Sequence, residues 1–401
     1  MKISLFFIGI VWLFSIVGNI YFELGYKPLS LITVSVFFYV PFVLLILSFL
    51  LPSKRVILSK NSVPSIKLKR LVDFSYIFCL IFIFFVVVKS DVLKLSFYDY
   101  FLLRRGGEVD GGGSITGYGF IDTMLTLIIY PILVSLTLIQ IAFVSVTDQV
   151  EKSRFLLLIL LMLSYTYVLQ VNYPIFFFIL VIFFFIINNV GVKGTIVNRN
   201  VLKVFSFFFI LLFLILASAV NRYGSFDLVG ILFYYPATYF TIGPSIFDIN
   251  LNNPQSLLHD STYGINLLGQ LLLPLKYLFS IVGFESDYFT PASIQNVTYL
   301  NEKINISESG IKNVNAFGTV LFSWYRDFGL FGVFISPIAY GLCVWYLSTR
   351  VDIFSIACFY LLLCNGIMGL TVSPLDQAHF TLVFIILFIL SWRFKWKSLG
   401  C

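Results

Sequence analysis

The chain has 401 residues, of which 59% are hydrophobic and only 11% charged, and its mean hydropathy is +0.98. A soluble domain carries about 25% charged residues, so a water-solvated globule is excluded and lipid must cover much of the surface. The net charge of +7 is then a topological signal rather than a nucleic-acid footprint, because Lys and Arg mark the cytoplasmic side of a membrane protein.

In chain order, about ten apolar runs have the ~20-residue length that a ~30 Å hydrocarbon layer requires. They are predicted near residues 3–22, 30–51, 71–89, 121–146, 154–171, 174–190, 203–220, 329–348, 352–371 and 378–396. The first starts almost at Met1 without a small-residue cleavage site, so it reads as a retained helix. Pro174 falls in the first turn of the sixth, where its missing N–H does little harm. The expected class is all-α: a polytopic helical membrane protein forming a single integral membrane domain over 1–401.

Charge sets the expected orientation. Six cations lie in 52–70, Lys152 and Arg154 follow the fourth span, and Lys193, Arg199 and Lys203 follow the sixth. Arg350, Arg393, Lys395 and Lys397 complete the set. All fall on one side if both termini are cytoplasmic. The opposite, periplasmic side then receives two loops, residues 90–120 and residues 221–328. The longer one includes the segments 226–247 and 263–284, apolar but broken by Pro and Gly, which read as interfacial or re-entrant helices. Four of the five cysteines fall in spans and the other at the C-terminus, so no disulfide framework is expected. No metal-type Cys/His spacing occurs, and no cofactor is expected.

The first loop contains "RRGGEVDGGGSITGYG". It lacks the lysine of a phosphate-binding nucleotide loop and lies on the side without ATP. Arg104 and Arg105 nevertheless stand outside against the positive-inside trend, and a guanidinium suits phosphate oxygens. Headgroup anchoring is the competing reading. Arg222, in "NRYGSFD", and Arg326, in "FSWYRDFGLFG", stand at span ends on the same side. A charge beside apolar sequence is costly and often functional. Snorkelling of Arg222, or an ion pair of Arg326 with Asp327, would be the structural alternatives.

Candidate bases are few. His259 lies beside Asp260, and His379 lies near Asp376 before the last span. Asp327, Asp122, Glu108 and Asp110 are the carboxylate alternatives. Many tyrosines, Tyr223, Tyr263 and Tyr325 among them, edge the long loop. They fit an aromatic interface belt, or a platform for sugar rings.

"NRYGS" at 221–225, "YYPATYFTIGPSIFD" at 234–248 and "NAFGTVLFSWYRDFGLFGVFISPIAYG" at 315–341, within this layout, resemble the bacterial O-antigen polymerases (Wzy-type oligosaccharide repeat-unit polymerases). The resemblance implies the multi-spanning, lipid-carrier-using glycosyltransferase fold in the inner membrane, without a metal. It implies transfer of a glycan from undecaprenyl diphosphate to the non-reducing sugar of another carrier-linked unit, at the periplasmic face. The diphosphate leaving group then calls for preorganised arginines. Arg222 and Arg326 are the first candidates, with Arg104, Arg105, Lys276, Tyr223 and Tyr325 contacting substrate. Asp327 would orient Arg326 or act as base, with His259 as the other base candidate. The carrier-linked oligosaccharide and membrane lipid are the implied partners, with a chain-length regulator and a flippase of the same pathway, and no nucleic acid. Two other readings stay open. An O-antigen ligase shares the fold and leaving group and would use His259. A polysaccharide flippase or transporter predicts charges inside spans and shorter loops.

Overall fold

A computed structural model describes residues 1–22, 25–52, 66–90, 119–147, 151–169, 173–193, 235–264, 266, 304–305, 313–314, 319–350, 352–371, 373 and 378–393. These residues are helical apart from connecting turns and a two-residue antiparallel pair, β1 (Ile304–Asn305) with β2 (Asn313–Val314). Among them, six helices are long and apolar enough to cross a membrane: Lys2–Tyr21, Leu31–Leu50, Lys67–Lys89, Leu125–Thr147, Lys152–Leu169 and Val320–Ser348. Three shorter apolar helices follow the pattern at Tyr173–Asn188, Ile353–Met368 and His379–Ser391. The chain is therefore a helical multi-pass protein. The span expected at 203–220 lies outside the described residues.

The chain divides into two compact units. The first comprises residues 1–54, 229–347 and 362–381. Its helices are α1 (Lys2–Tyr21), α2 (Leu31–Leu50), α7 (Tyr235–Asn252) and most of α8 (Val320–Ser348), numbering the helices in chain order. Helices α1 and α2 form an antiparallel hairpin. Lys2 Nζ donates to Phe49 O at 3.3 Å, and Trp12 meets Phe37 with ring centroids 5.9 Å apart. Ser30 caps α2, its hydroxyl accepting from Thr33 N. Helix α7 is buried without interruption from Thr241 to Asp248, as a helix packed into an interior must be. Pro244 cannot continue the backbone ladder, and a neighbouring side chain supplies polar contacts there, as buried membrane helices require. Asn19 of α1 donates to Thr241 O at 2.6 Å and to Ser245 Oγ at 2.8 Å.

Gly243 marks a close approach in this unit. A Cβ there would stand 2.5 Å from Thr319 Cγ2 and 2.8 Å from Leu370 O. Gly243→Ala is therefore expected to lower stability by about 1–3 kcal/mol. Thermal unfolding in detergent checks this, and Thr319→Ser should recover part of the loss by removing the clashing methyl.

The polar contacts of the first unit are densest at one of its ends. Lys2 with Phe49, and Trp345 with Pro52 (3.1 Å), mark the end nearest the N-terminus. The other end holds Asn19, Ser30, Asp248 and residues 256–266, together with the start of α8 and Ser373.

The second unit comprises residues 55–228, 348–361 and 382–401. It holds α3 (Ile66–Lys89), α4 (Gly119–Thr147), α5 (Lys152–Leu169), α6 (Tyr173–Lys193) and parts of α9 (Ile353–Met368) and α10 (Ala378–Arg393). Helix α4 is its centre: 83% of the Leu125–Thr147 window is buried, against 28% for α3. Within α4, Leu125–Ile129 form a π turn in which Tyr130 N–H bonds to Leu125 O. Pro131 follows directly and has no N–H to offer Leu127 O, so the wider turn absorbs the missing bond. Tyr130 then stacks on Tyr165 at 5.4 Å and meets Tyr173 edge-on at 5.0 Å. At one end of this unit Arg154 grips Asp73 through two bonds, Nε–Oδ1 at 2.9 Å and Nη2–Oδ2 at 3.0 Å. Glu151 pairs with Arg154 and lies 3.9 Å from Lys69. The basic start of α3 and the basic start of α5 thus share one end, as the charge pattern requires.

Candidate functional site

Helix α8 is broken near its start. Phe328 (φ −142°, ψ 17°) and Gly329 (φ 61°, ψ −149°) leave helical geometry. The Gly329 conformation is essentially closed to residues with a Cβ. Val320–Asp327 is thereby a separate segment preceding the membrane-length part, and its last two residues are Arg326 and Asp327. Both are buried, at 3% and 1% exposure.

The break strips Arg326 O of its place in the helical ladder, and a buried carbonyl needs a donor. Residues 260–266 supply it. Thr262 N donates to Arg326 O at 3.0 Å, and in return Arg326 Nε donates to Asp260 O at 3.3 Å. Asp327 holds the same loop from the next position. Its Oδ1 accepts from Thr262 Oγ1 at 2.7 Å, from Asn266 N at 2.9 Å and from Gly264 N at 3.2 Å. Asn266, fully buried, also donates its side-chain amide to Ser323 O at 3.5 Å. The loop 260–266 and the segment 320–327 are thus joined by reciprocal bonds, with the guanidinium plane of Arg326 set by one of them.

Before the clasp, Ser256 caps the short 3₁₀ turn Leu257–His259 and donates to Asn250 Oδ1 at 2.8 Å. This turn leaves His259 exposed. The His259 ring stands edge-on to Tyr325 with centroids 6.4 Å apart, and Tyr325 meets Phe247 at 5.9 Å. Helix α7, the turn and the start of α8 thereby bring His259, Tyr325, Arg326 and Asp327 into one region.

Four of the residues singled out from sequence are gathered here. Their roles separate by environment. Asp327 commits one oxygen to three donors, which makes it the anchor of the loop. His259 is the exposed titratable side chain. Arg104, Arg105, Arg222, Tyr223 and Lys276 lie outside the described residues, as do Glu108, Asp110 and Asp376. His379 lies at the start of α10 with its ring 4.7 Å from Phe380.

Sequence reasoning passed over several residues. Thr262 and Asn266 look like ordinary loop residues, and only tertiary contact reveals them as the partners of Asp327. Asp248 had a visible signal, an acid inside the apolar helix "YFTIGPSIFDIN". It is buried and its Oδ1 accepts from Ser30 N at 3.0 Å and from the Ser30 hydroxyl. A carboxylate at the N-terminus of α2 also complements the helix dipole.

Among the described residues, no group of three or more His, Cys, Asp or Glu side chains is placed to hold a metal ion. No protein-family model, curated protein or solved structure matches the chain.

Proposed function

We propose that this chain is a membrane-embedded glycosyltransferase, an O-antigen polymerase, that joins sugar repeat units carried on undecaprenyl diphosphate. The observation that carries the reading is the buried Arg326, held by a helix break and a loop clasp at the polar end of the first unit. A charge set in apolar surroundings is costly and often functional, and a guanidinium held in a fixed plane suits a departing diphosphate. On this reading both termini are cytoplasmic and that polar end faces the periplasm of a bacterial inner membrane.

In the proposed reaction, an acceptor hydroxyl attacks the anomeric carbon of the carrier-linked glycan. The new glycosidic C–O bond forms as the C–O bond to the diphosphate breaks. The bonding pair leaves on the diphosphate, and the acceptor proton passes to a base. Arg326 opposes the charge that develops on the leaving group, with Arg222, Arg104 and Arg105 assisting. Fixed donors in a water-poor site stabilise such charge without reorganising. His259 suits the base role as an exposed imidazole beside the clasp.

The test is genetic inactivation in the host, followed by gel analysis of its surface polysaccharide. Single capped repeat units in place of the long ladder are the expected result. Loss of all surface units would mark a flippase, and polymer accumulating on the carrier would mark a ligase.

A further inference from the structure

Tyr263 stands apart from every other described residue outside glycine: its φ is +49°. The left-handed region is disfavoured for a residue with a Cβ. It is also 82% exposed, so no burial of its ring compensates. Yet the loop is built to hold it there. Thr262 before it and Gly264 after it are both tied to Asp327 Oδ1, and Gly264 takes φ +88°. A Cβ on Gly264 would meet Phe328 Cζ at 3.2 Å, so the turn is seated closely on the α8 break. A strained backbone that its surroundings enforce is a signature of function.

The surroundings state what kind of ligand fits. Residues 253–264, "NPQSLLHDSTYG", contain no Lys or Arg. Besides Tyr263, the exposed residues of this loop are Asn253, Pro254, Gln255, His259, Asp260 and Ser261, and Phe328, which Gly264 abuts, is 48% exposed. An anionic headgroup or a free phosphate needs cations, and this loop offers a carboxylate instead. An acyl chain needs a continuous apolar surface, and here the exposed rings and Pro254 are interleaved with amide, hydroxyl and carboxylate groups. An open aromatic face among amides, hydroxyls and a carboxylate suits a sugar, whose C–H face stacks on the ring while its hydroxyls meet those polar groups.

We infer that Tyr263 is a carbohydrate-stacking residue, displayed by the Asp327-anchored loop to bind a neutral sugar of the acceptor glycan. This rests on the glycosyltransferase reading for the identity of the glycan. It places the acceptor subsite on the loop 253–264, beside His259, and leaves the diphosphate to the arginines.

The experiment uses the full chain in nanodiscs and the oligosaccharide repeat unit released from the host's own surface polysaccharide. Saturation-transfer NMR and titration report binding. Tyr263→Ala is expected to weaken binding by about tenfold or more, the usual consequence of truncating an aromatic contact, while Tyr263→Phe and Tyr263→Trp retain it. Tyr263→Gly should lose binding without a lower melting temperature, since glycine relieves the backbone. Unchanged binding in Tyr263→Ala overturns the inference, as does absence of binding to the wild type. A Tyr263-dependent response to inorganic pyrophosphate instead of the sugar also overturns it. Arg326→Lys separates the two proposals. Oligosaccharide binding that survives with polymerisation lost supports both. Normal polymerisation removes the glycosyltransferase role of Arg326 while leaving the sugar site standing.

Discussion

Arg326→Lys is expected to eliminate the long-chain polysaccharide ladder, with polymerisation falling about a hundredfold or more, the usual cost of removing one preorganised charge-stabilising donor. The substitution keeps the positive charge, so any loss belongs to geometry. Lysine is a point charge on a flexible stem and cannot reproduce the planar fork. It also cannot donate to Asp260 O from the Nε position that Arg326 uses. Arg326→Ala should act more strongly, because it also opens a cavity at a site only 3% exposed. Size-exclusion profiles of the detergent-solubilised protein must accompany the gels. A normal profile with a lost ladder is the expected pairing for Arg326→Lys, and an unchanged ladder would end the case for this arginine.

Asp327→Ala is expected to unfold the clasp. Three donors, Thr262 Oγ1, Gly264 N and Asn266 N, would lose the oxygen they share. Asn266 N is buried and the other two donors are part-buried; a buried donor left without a partner costs about 1–3 kcal/mol, so a loss on the order of 2 kcal/mol is expected as a lowered melting temperature. Asp327→Asn is the informative companion. Its amide oxygen still accepts, so the loop should persist at a cost of about 1 kcal/mol, and polymerisation should remain measurable. Were Asp327 the base, Asp327→Asn would abolish activity with little change in stability. The two substitutions thus separate anchor from base by opposite patterns.

Much of the architecture was legible in the chain itself. Runs such as 2–21 and 31–50 are apolar on all sides, and a helix is the one single-segment structure that satisfies its backbone in lipid. Their bounds therefore follow closely from hydropathy. The pairing of basic starts in α3 and α5 was legible too, because charge sorting acts on whole loops. The site was legible only in part. Arg326 announced itself because a charge beside a span is rare, and Gly329 hinted at a break. Thr262 and Asn266 carried no such mark, since a loop residue's partner sits some sixty positions away in the chain; Tyr263 was one tyrosine among many, and only the fold shows its strain.

The sequence by itself determined that this is a multi-pass helical protein, where its apolar helices run, and that its rare charges gather at span ends. Those properties depend on composition and local periodicity, which every segment carries within itself. The tertiary structure alone decided that α7 is buried around its Asn19-bound turn and that α8 breaks before its membrane-length part. It alone decided that Asp327 anchors a loop rather than standing open. Those outcomes depend on which donors reach which acceptors across long stretches of chain, a matter of packing that no local pattern encodes.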